Sequence, residues 1–284
     1  MFVLNLSSML SVSSNPMILT SMLGPVSVSL YNPAVKLIGT FSPIVLTLTQ
    51  QLHPIATNFH ITKSISNLQN TLIRGPRLTL LVGIPLCVIL GGFSFPICKI
   101  WLQGTLSDQY KTVSAVLLIS AYISLLTFAG SAQWPVLLGM DRFGFVVLTK
   151  LPSAVINLLA SIYLVGFTPL GVVGVVVPTL VIETIRRPIL IWYTARVVKM
   201  RTCDYFLQGF FRPVVVGIIL LIPVYIFHLI LPLDKFVFLA GACIGVTFVW
   251  CVLCWYIGFD KSDRTDMSNI LIKCAKKIQV KRPC

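Results

Sequence analysis

The stretch PVVVGIILLIPVYIFHLILPLDKFVFLAGACIGVTFVWCVLCWYIG (213–258) decides the class of this chain. It holds two apolar runs, 213–232 and 236–258, parted by a short break that contains Asp234 and Lys235. Each run is near the length of about twenty residues at which an α-helix, rising about 1.5 Å per residue, crosses a hydrocarbon core of about 30 Å. Neither alternates with the period of two that membrane β-strands show in segments near ten residues. Outward from this stretch, comparable runs occupy 2–22, 31–56, 78–98, 112–138, 143–166 and 170–195. The chain therefore reads as an all-α polytopic membrane protein of about eight transmembrane helices. The first run carries Asn5, Ser7, Ser8, Ser11, Ser13, Ser14, Asn15 and Pro16, so it needs protein or water on one side.

Composition agrees. Of 284 residues 56% are hydrophobic and 11% charged, with a mean hydropathy of +0.92. A single soluble domain of this size cannot bury that much apolar surface. The net charge of +14 admits nucleic acid as a partner only until the cations are placed. Lys63, Arg74, Arg77, Arg142, Lys150, Arg196, Lys199, Arg201, Arg212 and the tail cations Lys261, Arg264, Lys273, Lys276, Lys277, Lys281 and Arg282 fall in one set of connections. The alternate set holds only Lys99, Lys111 and Lys235. Cations collect on cytoplasmic loops, so the asymmetry predicts both termini in the cytoplasm and removes the reason to invoke nucleic acid. The opening MFVLNLSSML has no cation before its apolar stretch and no small-residue cleavage site, so no signal peptide is expected.

Cys87, Cys243, Cys251 and Cys254 lie inside apolar runs, where cysteine acts as a small hydrophobe, and no disulfide framework or metal site is expected. No nucleotide-binding loop occurs, and no cofactor is expected. In the tail, Met267, Ile270, Leu271, Cys274 and Ile278 recur at helical spacing among lysines. Two readings stand: a basic amphipathic helix against an anionic membrane surface, or a solvated tail.

Polar residues inside spans are costly and report faces turned to protein or water. In the second span Asn32, Lys36, Thr40, Thr47 and Gln50 or Gln51 follow one helix face, which favours a hydrated cavity. Lys36, about 7 Å below the outer surface, either snorkels to the headgroups or contacts a phosphate or an acidic sugar. Ser153, Asn157 and Ser161 repeat at intervals of four and read as a packing seam; Ser120, Ser124, Thr127 and Ser131 form a similar stripe. Glu183 pairs with Arg187 at i,i+4 or with Arg186 at i,i+3, roughly 20 Å from the outer face. It is either a neutralised structural pair or a carboxylate that couples or gates transport. Prolines at 43, 85, 135, 152, 178 and 223 interrupt the spans, as in the broken helices of transporters.

Several stretches resemble the polysaccharide exporter and flippase family of the multidrug/oligosaccharidyl-lipid/polysaccharide exporter superfamily. LGPVSVSLYNPAVKLIGTF (23–41) is similar to its seventh-to-eighth helix junction, with Gly24, Tyr31 and Lys36 matching and Ser29–Leu30 departing from the usual Gly before Tyr. LIRGPRLTLLVGIPLCVIL (72–90) and FPICKIWLQG (95–104) resemble the ninth helix and its outer end. WPVLLGMDRFGF (134–145) and FTPLGVVGVVVPTL (167–180) resemble the turn between helices ten and eleven and the start of helix twelve. The resemblance covers about 25–200 and equates the eight spans with helices 7–14 of a fourteen-helix exporter. It implies a six-helix transporter lobe at 1–200, two additional transmembrane helices at 201–259 and a basic cytoplasmic tail at 260–284.

The function so implied is translocation of an undecaprenyl-pyrophosphate-linked oligosaccharide across the bacterial inner membrane for O-antigen or other surface polysaccharide. Lys36 would contact the anion, Asn32, Thr40, Thr47, Gln50 and Gln51 would line the track, and Glu183, Arg186 and Arg187 would couple or gate. Such proteins pair this lobe with an amino-terminal one, so a partner lobe is expected, with membrane lipids and polysaccharide polymerase machinery as further partners. A multidrug antiporter, a membrane enzyme of polysaccharide assembly and an inactive fragment are the rivals. The antiporter would favour acidic cavity residues, and the enzyme a long outer loop or a His/Arg/Asp set; the sequence has neither.

Overall fold

A chain this apolar must satisfy its backbone hydrogen bonds within itself. In the computed structural model of the protein it does so with helices; no strand forms among the described residues, which are 7, 9–102, 109–142, 144–233 and 235–259. The α-helices are α1 (Asn15–Leu23), α2 (Pro25–Gln50), α3 (Leu52–Ile61), α4 (Ile65–Gly92), α5 (Ser94–Leu102) and α6 (Tyr110–Ala129). They continue with α7 (Gln133–Gly139), α8 (Gly144–Phe167), α9 (Val176–Val197), α10 (Thr202–Phe206), α11 (Arg212–Ile230) and α12 (Phe236–Leu253). Wider π turns at Met9–Ser13, Leu207–Phe211 and Cys254–Gly258 and a tighter 3-10 turn at Gly171–Val175 extend them.

Among the described residues five segments are long and apolar enough to cross a membrane: Ile65–Gly92, Tyr110–Gly139, Gly144–Phe167, Thr202–Ile230 and Phe236–Gly258. They coincide with five of the eight expected runs. The other three are helical but shorter or more polar. In the first, the π turn and α1 cover only Met9–Ser13 and Asn15–Leu23 of the described residues. The second is α2, which carries Asn32, Lys36 and a row of hydroxyls and turns at Gln51 into the separate α3. The last is the 3-10 turn followed by α9, which bears Glu183, Arg186 and Arg187. The expected run at 78–98 is also redrawn, because α4 reaches back to Ile65 and breaks at Phe93. The amphipathic pattern of Met267, Ile270, Leu271, Cys274 and Ile278 lies outside the described residues.

Helix α6 sits at the centre, packed against α2, α4, α5 and α9. One apolar core lies between α1, α2, α6 and the start of α9, around Leu19, Tyr31, Val113, Leu117 and Val175. A second joins α4 to α11 and α12 around Leu72, Ile84, Phe93, Leu220 and Val246. Burial falls outward: the most apolar stretch of α4 is 56% buried in the protein, that of Phe236–Gly258 only 17%. Exposed side chains such as Ile156, Leu159, Ile218, Leu229, Ile244 and Phe248 make α8, α11 and α12 the lipid-facing perimeter.

Small residues and prolines set the contacts. Gly83 lets the Phe128 ring of α6 lie on the α4 backbone, where a Cβ would collide with it. Pro85 has no N–H to offer the Leu81 carbonyl one turn back, and Trp250 Nε1 of α12 donates to that oxygen instead at 2.8 Å. Two polar contacts likewise tie the first segment to α2. Asn15 Nδ2 donates to Tyr31 Oη at 3.0 Å, and Ser27 Oγ donates to the Leu19 carbonyl at 3.0 Å. On α8, Asn157 donates to the Ser11 carbonyl (3.0 Å) and accepts from Thr179 (3.1 Å), and Ser161 is fully buried, so this serine stripe is a seam between helices.

Candidate functional site

Helix α9 turns its charged residues inward. Spacing of three and four places Arg186 and Arg187 on the same side as Glu183. Arg186 Nη2 donates to Glu183 Oε1 at 2.6 Å and Arg187 Nε donates to Oε2 at 2.7 Å, with all three side chains less than a fifth exposed. The bridging carboxylate neutralises one of two cations that would otherwise stand uncompensated in an apolar bundle. Arg187 reaches across to α6, where its Nη2 lies 3.4 Å from Thr127 Oγ1. The helix ends just beyond, and Gly130 leaves the space that the guanidinium fills; a Cβ there would overlap it.

These arginines form one wall of a cavity of about 600 Å³. Facing them are Gln50 at the end of α2, His53 of α3, Thr127 of α6 and Lys150 of α8. Trp134, Leu138, Val146 and Leu190 supply the apolar remainder. Lys150 lies within electrostatic reach of Arg186, Glu183 and Arg187, so three cations and one carboxylate share the space. The size is that of a small-molecule site, and the polar groups converge from five helices. Guanidinium forks and an ammonium in low-dielectric surroundings favour an anion, and phosphate above all.

The residues expected from sequence separate into two places. Gln50 joins Arg186 and Arg187 at the cavity, and Glu183 holds the two arginines. Asn32, Lys36, Thr40, Thr47 and Gln51 are not in its wall. Lys36, Thr40, Thr47 and Gln51 are exposed on the outer side of α2 and its turn, and Asn32 is half-buried. Thr40 and Thr47 donate to the carbonyls of Lys36 and Pro43, so their hydroxyls are satisfied within their own helix. Sequence reasoning sorted Lys150 with the loop cations and missed it. The signal was present: Lys150 lies one turn before Ser153, on the same face as Asn157 and Ser161. His53 carried no such signal, because only the fold of α3 back onto α7 brings it to the cavity. There Gly139 lies against the α3 backbone at Thr57.

Comparison with known protein families, protein sequences and solved structures finds no match to this chain.

Proposed function

We propose that the chain is a membrane transporter lobe that carries a polyprenyl-pyrophosphate-linked oligosaccharide from the cytoplasmic to the outer leaflet of the bacterial inner membrane. The observation that carries this reading is the cavity between α2, α6, α8 and α9, where Lys150, Arg186 and Arg187 meet Gln50 inside an otherwise apolar bundle. A pyrophosphate is the most highly charged part of such a substrate. It cannot enter hydrocarbon without compensation, and a pocket of fixed cations lowers that cost while the polyprenyl chain stays in lipid. Gln50 and Thr127 offer hydrogen bonds of the kind that sugar hydroxyls use.

In this reading the expected run 2–22, of which α1 is a part, completes eight crossings together with α2 and α9, with both termini in the cytoplasm. They are more polar than the other five because they line the path rather than face lipid. The exposed row Lys36, Thr40 and Thr47, with the half-buried Asn32, then faces a second lobe across a wet cleft, with Lys36 as an outer anion contact. Glu183 gates by holding the arginines in place until substrate competes for them. The cationic wall also speaks against a cationic-drug antiporter, since the carboxylate on α9 is taken up by two arginines.

The test is reconstitution of the chain, with and without any six-helix polypeptide encoded beside it, in vesicles holding a fluorescent polyprenyl-pyrophosphate oligosaccharide. Exposure of the label to an external quencher should rise with the wild-type protein. It should fall at least tenfold with Arg186→Ala/Arg187→Ala, as expected for two lost charge-assisted contacts of about 1.5–3 kcal/mol each. Equal flipping by the double variant rejects the cavity as the substrate path.

A further inference from the structure

Beyond the cavity α3, α7 and α9 run on to a common end of the bundle, and each stops in the same way. Lys63, Asp141 and Lys199 adopt left-handed backbone (φ 52°, 56° and 56°). The next N–H then donates five residues back: Ser64 to Phe59, Arg142 to Leu137 and Met200 to Ala195, at 3.0, 2.9 and 2.9 Å. These turns satisfy terminal carbonyls with backbone donors, so the nearby cationic side chains are not needed as caps.

A second recess of about 410 Å³ opens among the three ends, walled by His60, Met140, Arg142, Tyr193, Arg196 and Val197. Arg142 follows α7 and Arg196 closes α9, so two guanidiniums reach it from separate segments, while Asp141 is outside its wall. Arg196 Cζ lies 5.5 Å from the Trp192 ring centre, within cation–π range. Tyr193 stacks on Phe145 with centroids 3.9 Å apart, which stiffens the wall below. Arg196 is nine residues along α9 from Arg187, or roughly 13 Å, so this is a separate place from the cavity.

Trp and Tyr beside arginine at a helix end mark the level of the lipid headgroups. An anionic phospholipid presents a phosphate at that level, with apolar chain just beneath. The recess offers the complement: two guanidiniums and an imidazole for the phosphate, with Met140 and Val197 beside them. We propose that this recess binds the phosphate of an anionic phospholipid in the leaflet it faces. The inference needs only that these helices end at a membrane surface, and it stands or falls apart from the flippase reading. The leaflet that collects basic loops is also the one rich in anionic lipid.

The experiment uses the full chain in nanodiscs of zwitterionic lipid and follows its thermal unfolding midpoint. Short-chain phosphatidylglycerol should raise the midpoint in a saturable way, as any ligand that binds only the folded state does. Short-chain phosphatidylcholine should not. Arg142→Gln/Arg196→Gln should weaken the apparent affinity at least tenfold. A shift given equally by inorganic phosphate assigns the recess to free phosphate and overturns the lipid part of the proposal. No shift with phosphatidylglycerol, or the same shift in the double variant, overturns it altogether. Should the double variant fail to accumulate, Arg142→Lys and Arg196→Lys separately keep the charge and lose the planar fork. Each should bind several-fold more weakly, and wild-type affinity in both rejects the site.

Discussion

At Arg187 three demands on the sequence meet: a carboxylate one turn back, a hydroxyl across the helix interface and a residue with no side chain beneath the guanidinium. Glu183, Thr127 and Gly130 meet them. Glu183→Gln would leave Arg186 and Arg187 facing Lys150 without a counter-charge. We expect the folded state to lose about 3 kcal/mol, the cost of breaking one side of a buried ion pair, read as a lower unfolding midpoint in detergent. An unchanged midpoint would mean that water already screens the arginines. Gly130→Ala acts differently, since the group it meets is the end of a flexible side chain. The expected outcome is a stability change of about 1 kcal/mol with displacement of the guanidinium, and so transport falling towards that of Arg187→Ala. Normal flipping by Gly130→Ala would detach Arg187 from the substrate path.

Among the elements, α4 and α6 form the frame and the rest dress it. Their close approach depends on Gly83 under Phe128, and α12 is tied to the frame by Trp250 through the carbonyl that Pro85 sets free. Trp250→Phe keeps most of the ring volume and removes the donor. It should cost about 1–2 kcal/mol, because the Leu81 carbonyl would then lie in an apolar seam without its partner. Chemical unfolding in micelles, compared with Trp255→Phe at an exposed position, gives the readout, and equal stability of the two variants would show that water replaces the indole. The same level explains why the α2 stripe divides: a polar face predicts a wet or protein-facing side, but not which one. Thr49 and Gln50 turned to the cavity while Lys36 and Thr40 turned out.

For the whole molecule, orientation is the quantity that charge placement predicts most sharply. Cys203 is exposed beside Arg201, at the end that also holds Lys63, Arg142 and Lys199. In a Cys274→Ser/Cys284→Ser background, a membrane-impermeant maleimide should label it in inverted vesicles and not in intact spheroplasts, with Cys203→Ser as the blank. Labelling from the outer side would invert the topology and with it the direction of transport.

Class, helical periodicity and an ion pair of Glu183 with a neighbouring arginine were determined by the sequence alone; that both arginines share the carboxylate is a finding of the structure. Apolar length, the pairing of charges three and four apart and the one-sided cations are local or cumulative properties that need no knowledge of neighbours. The cavity was not so determined. Gln50 and His53 are neighbours, but Thr127, Lys150 and Arg187 stand far from them along the chain, and only the packing of α2 and α9 on α6, of α8 on α9 and of α3 on α7 made them one site. Tertiary structure also decided where helices stop. Phe93 sits inside an apolar run, yet α4 stops there and α5 begins, because burial rewards whichever local break lets neighbouring faces close.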